Sequence, residues 1–190
     1  MVRGIASIVA VAGLAAAASA QSAVYTAATS SSGPRYNRLV DDGVTGLSTG
    51  LSTVGTNTPY HVQPFWVGTS GPYNFFSNAG SPNGWDQYLW LYGSSWNPAN
   101  PAIGAIRGND DFNNLIGQSG FSGVSLTANT QYYLITTGYE NSDFGSFTNS
   151  ITWASESEGG PINLGMIPSP GAAALFGLGG LMATKRRRTR

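Results

Sequence analysis

The chain has 190 residues and no cysteine, which excludes disulfides and thiolate metal sites, and its single histidine excludes a histidine-cluster metal site. Its formal charge is zero, but six of the nine basic residues lie near the two ends. Residues 21–167 therefore hold three arginines against nine acidic residues, a charge of about −6 (3 − 9). This acidic body has no basic stripe, which argues against nucleic acid as a partner, and it is long enough to bury one core without disulfides.

The first 20 residues have the pattern of a secretory signal peptide. Arg3 supplies a positively charged start, and residues 4–18 form an almost unbroken apolar run, shorter than the roughly 18–20 residues of a transmembrane anchor. The small residues Ala18 and Ala20 then give a cleavage pattern for signal peptidase, which predicts Gln21 as the mature N-terminus. The chain is therefore expected to be exported.

The body, residues 35–155, has an all-β pattern. Short runs rich in β-branched and aromatic residues alternate with clusters of Gly, Pro, Asn and Ser, and few stretches show a helical period. The predicted strands cover residues 60–67, 73–76, 87–92, 102–107, 120–126, 131–137 and 146–153. They predict a single antiparallel β-sandwich, preceded by a flexible segment over residues 21–34, which are rich in Ser, Ala and Thr.

The run "WDQYLWLYG" predicts a central strand. Tyr88, Trp90 and Tyr92 point to one face of such a strand. Leu89 and Leu91 point to the other face. Because both faces are apolar, we expect both to be covered.

Two further features are predicted from local composition. Residues 68–71 of "VGTSGPYNFF" are expected to form a hairpin turn between two apolar runs. The duplicated "GLSTGLST" is too short for an architectural repeat, and the alternation of Leu47, Thr49 and Leu51 predicts an edge strand.

The order of these runs resembles the bacterial pre-peptidase C-terminal-like domains over residues 59–153. The resemblance rests on the successive segments "PYHVQPFWVGTSGPYNFF", "WDQYLWLYG", "AIRGNDDF" and "LTANTQYYLITTGY". An Asp-x-x-Leu-x-Leu segment begins at Asp86, an Asn-Asp-Asp loop begins at Asn109, and the segment that begins at Asn129 lacks the usual glycine. The resemblance implies a jelly-roll β-sandwich without catalytic activity.

One acidic group is the candidate metal site, and its candidate ligands are Asp86, Asn109, Asp110 and Asp111. The first precedes one predicted strand and the other three follow the next, so they meet at one end of the sandwich if these strands are neighbours. Carboxylate and amide oxygens are the ligands that calcium prefers. Asn and Asp also stabilise turns through their own backbone, and this alternative is preferred because no complete calcium-loop spacing is present.

A carbohydrate-binding module has candidate residues as well. Tyr73, Trp85 and Trp96 fall near predicted loop ends, where they would stack on sugar rings. Aromatic side chains also fill the cores of β-sandwiches, and this second interpretation is preferred.

A glycan hydrolase would need two carboxylates at a fixed separation. Glu140 and Asp143 are the candidates, but their segment "GYENSDFGS" is typical of a solvated hairpin connection. His61 stands without an obvious nucleophile motif and is interpreted as a structural side chain.

Residues 156–167 predict a linker to a C-terminal tail with three parts. Pro168 and Pro170 stop regular structure because neither can donate a backbone hydrogen bond. Residues 171–183 are all small or apolar and predict a helix that is short for a hydrocarbon core of about 30 Å. A basic cluster closes the chain: Lys185, Arg186, Arg187, Arg188 and Arg190.

This tail resembles the PEP-CTERM sorting signal, a short proline-containing motif followed by an apolar stretch and an arginine cluster. The motif consists of Pro168, Ser169, Pro170 and Gly171, with Ser169 where the family usually has glutamate. The resemblance implies a bacterial host and an exosortase-type enzyme that processes the tail, which enters the membrane at least transiently.

These patterns together predict an exported, non-enzymatic protein of the cell surface or extracellular matrix, with a structural or adhesive role. A carbohydrate-binding module, supported by calcium, is the alternative, and a glycan hydrolase comes third. Extracellular polysaccharide is the candidate partner outside the sorting machinery.

Overall fold

The computed structural model describes residues 21–80, 84–155 and 159–168. The predicted signal peptide, including Ala18 and Ala20, lies outside the described residues. So do residues 169–190, which hold the sorting motif after Pro168, the apolar segment and the basic cluster.

Within the described ranges, the chain forms β-strands and one short 3₁₀ turn. The strands are β1 (Ser22–Ala28), β2 (Arg35–Tyr36), β3 (Leu39–Asp41), β4 (Ser48–Leu51), β5 (Thr58–Val67), β6 (Gly71–Asn78), β7 (Gln87–Tyr92), β8 (Ala105–Asn109), β9 (Gln118–Leu126), β10 (Gln131–Gly138), β11 (Ser146–Trp153) and β12 (Ile162–Leu164). The 3₁₀ turn covers Phe112–Asn114, between β8 and β9.

Two antiparallel sheets share the core. The four-stranded sheet has the order β1-β11-β6-β9, and the six-stranded sheet has the order β12-β5-β10-β7-β8 with β2 paired to β5. Side chains from both sheets meet between them, such as Phe75 and Ile151 from the first and Phe65 and Leu134 from the second. The predicted all-β class with antiparallel sheets is therefore confirmed in a sandwich-like arrangement.

The outer face of the six-stranded sheet is also covered. Strand β7 is buried along its whole length, as its two apolar faces predict. Leu89 and Leu91 enter the core between the sheets. Trp90 on the opposite face belongs to a second cluster that includes Tyr36 and Leu39, which lie on β2 and β3. The hairpin of β3 and β4 packs against β8, so the segment that precedes β5 covers part of this outer face.

A row of polar side chains crosses the interior in register on four strands: Tyr25, Asn149, Ser77 and Ser119. Asn149 donates hydrogen bonds to the hydroxyls of Tyr25 (2.7 Å) and Thr136 (2.8 Å), and the second of these joins the two sheets. Ser77 makes a second bridge, a hydrogen bond of 2.9 Å to the side-chain oxygen of Gln87. Gln87 begins β7 and directly follows Asp86, so this bridge lies beside one of the candidate metal ligands.

Three sequence predictions are wrong. The segment 21–34 contains β1, which pairs with β11 over seven residues, and the linker 156–167 contains β12, which pairs with β5. Residues 68–71 do not close a hairpin, because β5 and β6 lie in different sheets. Local composition identifies a turn there, but the partner of each strand is set by packing between distant segments.

The predicted edge strand at Leu47–Leu51 corresponds to β4, which pairs with β3. The predicted strand at residues 102–107 begins later, at Ala105, because residues 101–104 form a turn.

Candidate functional site

The three candidate carboxylates meet at one end of the sandwich. Strands β7 and β8 are antiparallel neighbours, with Leu89 opposite Asn109, so the residue before β7 lies beside the residues after β8. Carboxylate oxygens of Asp86, Asp110 and Asp111 lie within 4.8 Å of one another. The predicted convergence is confirmed, and we call these three residues the acidic cluster.

Each member of the acidic cluster has a buried oxygen without a hydrogen-bond partner among the described residues. These atoms are Oδ1 of Asp86, Asp110 and Asp111. A buried carboxylate oxygen that loses water and gains no donor is costly, by roughly 1–3 kcal/mol or more. The cluster therefore lacks the partner that would stabilise its charged form.

Burial and mutual repulsion raise the pKa values of the cluster. Burial raises the pKa of Asp110 to about 7, and the neighbouring charges of Asp86 and Asp111 add to this effect. Burial likewise raises the pKa of Asp86 to about 6, with Asp111 as the next cause. The pKa of Asp111 is raised by burial as well. Near neutral pH Asp110 is therefore partly protonated unless a cation replaces the proton.

Arg38 is a buried positive charge that acts on this cluster, and sequence reasoning missed it. Its side chain is 1 % exposed, and its guanidinium carbon lies 4.3 Å from the ring centroid of Tyr88 and 4.8 Å from that of Tyr139. Its Nε donates to the carbonyl oxygen of Tyr139 at 3.0 Å, and its Nη1 to that of Leu39 at 2.9 Å. The positive charge lowers the pKa of Asp86 and Asp110, but less than burial raises them.

Asn109 holds the loop in place. Its side-chain oxygen accepts a hydrogen bond of 2.8 Å from the backbone N–H of Gly120 on β9. Asn113 and Asn114 follow in the left-handed region, with φ of 58° and 57°, as the turn interpretation of this loop requires. The structure thus combines a turn with a carboxylate cluster, and the two interpretations do not exclude one another.

An open cavity of about 540 Å³ lies beside the acidic cluster. Asp110 and Asp111 line it together with Arg38, Tyr88 and Tyr139. A second cavity of about 270 Å³ also touches Asp111. Solvent and small ions can therefore reach Asp110 and Asp111 without any rearrangement of the strands.

The loop that joins β3 to β4 forms a wall of both cavities, and sequence reasoning did not single it out. Asp42 accepts hydrogen bonds from the hydroxyl and N–H of Thr45 and from the N–H groups of Val44 and Gly46, and these bonds hold its pKa below the usual range. Asp41 accepts from the Tyr88 hydroxyl and from the N–H of Gly43. The segment "DDGVTG" carries a local signal for this turn, since Asp side chains bond the backbone that follows them.

The aromatic residues proposed for sugar stacking are packed against other rings. Tyr73 is 0 % exposed and contacts Trp153 edge to face. Trp96 packs against Tyr92 with ring centroids 4.6 Å apart, and Trp85 donates to the carbonyl oxygen of Ser146 at 2.9 Å. None of the three is presented as an exposed platform.

The histidine and the two carboxylates considered for a glycan hydrolase contact different neighbours. His61 faces the interior against Tyr25 and Phe147, where burial lowers its pKa. Asp143 accepts a hydrogen bond of 2.7 Å from the backbone N–H of Glu140 and so stabilises its own loop.

Within the described ranges, no helix is long and apolar enough to cross a membrane. No protein-family model matches the chain, and no curated protein matches its sequence.

Proposed function

We propose that this chain is an exported, non-catalytic jelly-roll β-sandwich that binds calcium at its acidic cluster and serves a structural or adhesive role at the cell surface or in the extracellular matrix. The ends direct it there: signal peptidase cuts after Ala20, and an exosortase-type enzyme of a bacterial host processes the tail from Pro168 onward. Before processing, the tail lies at least transiently in the membrane.

The strand order supports the jelly-roll part of the proposal. Successive strands β1, β5, β6, β7, β8, β9, β10 and β11 alternate between the two sheets, except that β7 and β8 form a hairpin within one sheet. The resulting orders, β1-β11-β6-β9 and β5-β10-β7-β8, are those of two interlocked Greek keys.

The observation that carries the calcium assignment is the set of three buried carboxylate oxygens without partners. When the three carboxylates are ionised, the guanidinium of Arg38 offsets only part of their charge, and a divalent cation would offset more of it. Calcium accepts 6–8 oxygen ligands and tolerates irregular geometry, so carboxylates, loop carbonyls and waters from the adjacent cavity suit it. Asp86, Asp110 and Asp111 would hold the ion, and Asn109 keeps their loop in position through Gly120.

The proposal is tested on the processed protein recovered from its host's surface or medium. Its intact mass reports both processing sites, and its metal content reports bound calcium. Addition of calcium after chelation should raise the melting temperature, by the equivalent of about 2.7 kcal/mol at a hundredfold excess over the dissociation constant.

A matched pair of variants assigns the effect. Asp110→Asn removes one charge from the cluster and should abolish the calcium-dependent rise. Glu140→Gln removes one charge from an exposed side chain in the loop after β10 and should retain it. Purified protein without calcium, together with a melting temperature that millimolar calcium leaves unchanged, would refute the assignment.

A further inference from the structure

Strand β1 is a sheet edge whose outward backbone groups have no partner among the described residues. At one end of β1 the backbone N–H of Trp153 donates to the carbonyl oxygen of Gln21 (3.1 Å). At the other end the backbone N–H of Thr29 donates to the carbonyl oxygen of Gly145 (3.0 Å). In an antiparallel pair the hydrogen-bonded residues alternate. Since Gln21 and Thr29 are an even number of residues apart (29 − 21 = 8), the odd-numbered residues of β1 face β11. The even-numbered ones direct their N–H and C=O groups away from the sheet.

The other edges of the two core sheets, at β9, β8 and β12, are protected. On β9, the N–H of Gly120 is taken by Asn109, and the carbonyl oxygen of Ser122 accepts a hydrogen bond of 3.2 Å from Arg107. On β8, the backbone N–H of Gly108 donates to the carbonyl oxygen of Gly46 at 2.8 Å. Strand β12 has only three residues. Protection of this kind prevents one sheet from pairing with another.

None of these devices protects β1. It has seven residues without charge or proline, and its pairing with β11 shows no register shift. Val24 is 63 % exposed, and the other outward-directed positions, Ser22, Thr26 and Ala28, are exposed as well. The β11 residues in register with these positions, Ser146, Thr148, Ser150 and Thr152, are uncharged as well. No charged side chain of β1 or β11 on this face would therefore repel an identical surface.

The predicted processing leaves this edge open. Cleavage after Ala20 makes Gln21 the N-terminus, one residue before β1 begins. No earlier part of the chain then remains to fold over the strand.

We propose that β1 docks against β1 of a second copy of this chain. The two strands pair antiparallel about a twofold axis, with Val24 opposite Thr26 of the second copy and Ser22 opposite Ala28. In this register all four outward-directed residues of each strand exchange hydrogen bonds, and the two four-stranded sheets join into one of eight strands (4 + 4). Edge pairing of this kind supplies affinity through the backbone rather than through a particular side chain.

The chain allows a specific covalent test because it contains no cysteine. Opposed residues of a hydrogen-bonded antiparallel pair have Cα atoms about 5.5 Å apart, which lies within the range for a disulfide. The double variant Val24→Cys/Thr26→Cys of the processed chain should therefore form a covalent dimer under mild oxidation. The control Thr148→Cys/Ser150→Cys places the same pair on β11, one strand in from the edge, and should remain uncrosslinked.

Sedimentation of the processed chain supplies the second measurement, with and without chelator so that the result is independent of calcium. The unaltered chain should show a reversible dimer. Thr26→Lys should weaken it by about tenfold or more because it places charge at the edge, whereas Thr148→Lys on the same face should change it far less. Equal melting temperatures of the two variants confirm that both are folded.

Three outcomes would overturn the proposal. The first is an unaltered chain that stays monomeric up to millimolar concentration. The second is a β11 control that crosslinks as readily as the β1 variant. The third is a monomer whose β1 instead pairs with an extended segment of a different protein, which would assign the edge to another partner.

Discussion

The guanidinium of Arg38 stacks on the ring of Tyr88 at 4.3 Å, and Arg38 lines the same cavity as Asp110 and Asp111. This contact fixes a positive charge inside the outer layer of the six-stranded sheet, where Arg38 is 1 % exposed. The Tyr88 hydroxyl in turn donates to Asp41, the last residue of β3, which lines the cavity. One buried cation therefore connects β7, the segment before β3 and the site, and it offsets part of the cluster's charge.

Replacement of Arg38 by Met should destabilise the fold by about 3 kcal/mol, measured by urea unfolding. The variant leaves the carbonyl oxygens of Leu39 and Tyr139 without their donors and removes the stacked cation. Arg35→Met is the control, because Arg35 also donates to carbonyl oxygens, such as that of Asn57 at 2.7 Å, but is less buried. A loss of about 1 kcal/mol is expected there. Equal losses in the two variants would contradict a special role for Arg38.

The contribution of the acidic cluster to the stability of the calcium-free protein should fall as the pH rises from about 4 to about 7. The pKa values of Asp86 and Asp110 are raised from 3.8 to about 6 and about 7, so the folded state binds more protons than the unfolded state in this interval. Stability from these two groups is complete below the unfolded pKa and is lost as the pH passes the folded values. Melting temperatures in chelator across this interval provide the measurement.

Asp110→Asn isolates this contribution. His61 acts with the opposite sign, because burial lowers its pKa from 6.5, but it is common to both proteins and cancels in the difference. The melting temperature of the variant relative to the unaltered chain should therefore rise between pH 5 and pH 8. A constant difference would mean that the cluster is already ionised and paired.

Gly108→Ala should cost about 1–3 kcal/mol through overpacking, measured by urea unfolding. Gly108 lies opposite Trp90 on the neighbouring strand, and an added Cβ would approach that ring to 2.5 Å. Gly93→Ala, with its nearest atom at 3.7 Å, is the matched control and should be neutral or slightly stabilising. Tolerance of Gly108→Ala would mean that the aromatic layer over β7 is looser than the structure indicates.

Much of this architecture follows from sequence where the pattern is local and strong. The alternation from Tyr88 to Tyr92 predicts a central strand, and a central β7 next to β8 brings Asp86 to Asp110. Strand β1 escapes notice because only Ala23 is deeply buried, so its sequence shows no apolar stripe. Composition alone does not distinguish a flexible Ser/Ala/Thr segment from an edge strand that is fixed by pairing with β11.

The burial of Arg38 has no local signal either. In "RYNRLV" it differs in no visible way from Arg35, and its position depends on two rings that lie 50 or more residues later (88 − 38 = 50). Charged residues are mostly exposed, so a sequence pattern places both arginines at the surface. Partners that are distant in the chain decide which one is buried.

Calcium affinity should rise with pH between 6 and 8, by up to about tenfold per unit for each proton that the ion displaces. Asp110, with its pKa raised to about 7, holds a proton in part of the calcium-free protein, and the ion must displace it. Titration calorimetry in buffers of different ionisation enthalpy measures both the affinity and the protons released. Glu140→Gln should keep this pH dependence, whereas Asp110→Asn should lose both affinity and proton release. Affinity that is independent of pH, with no protons released, would place the ion away from the acidic cluster.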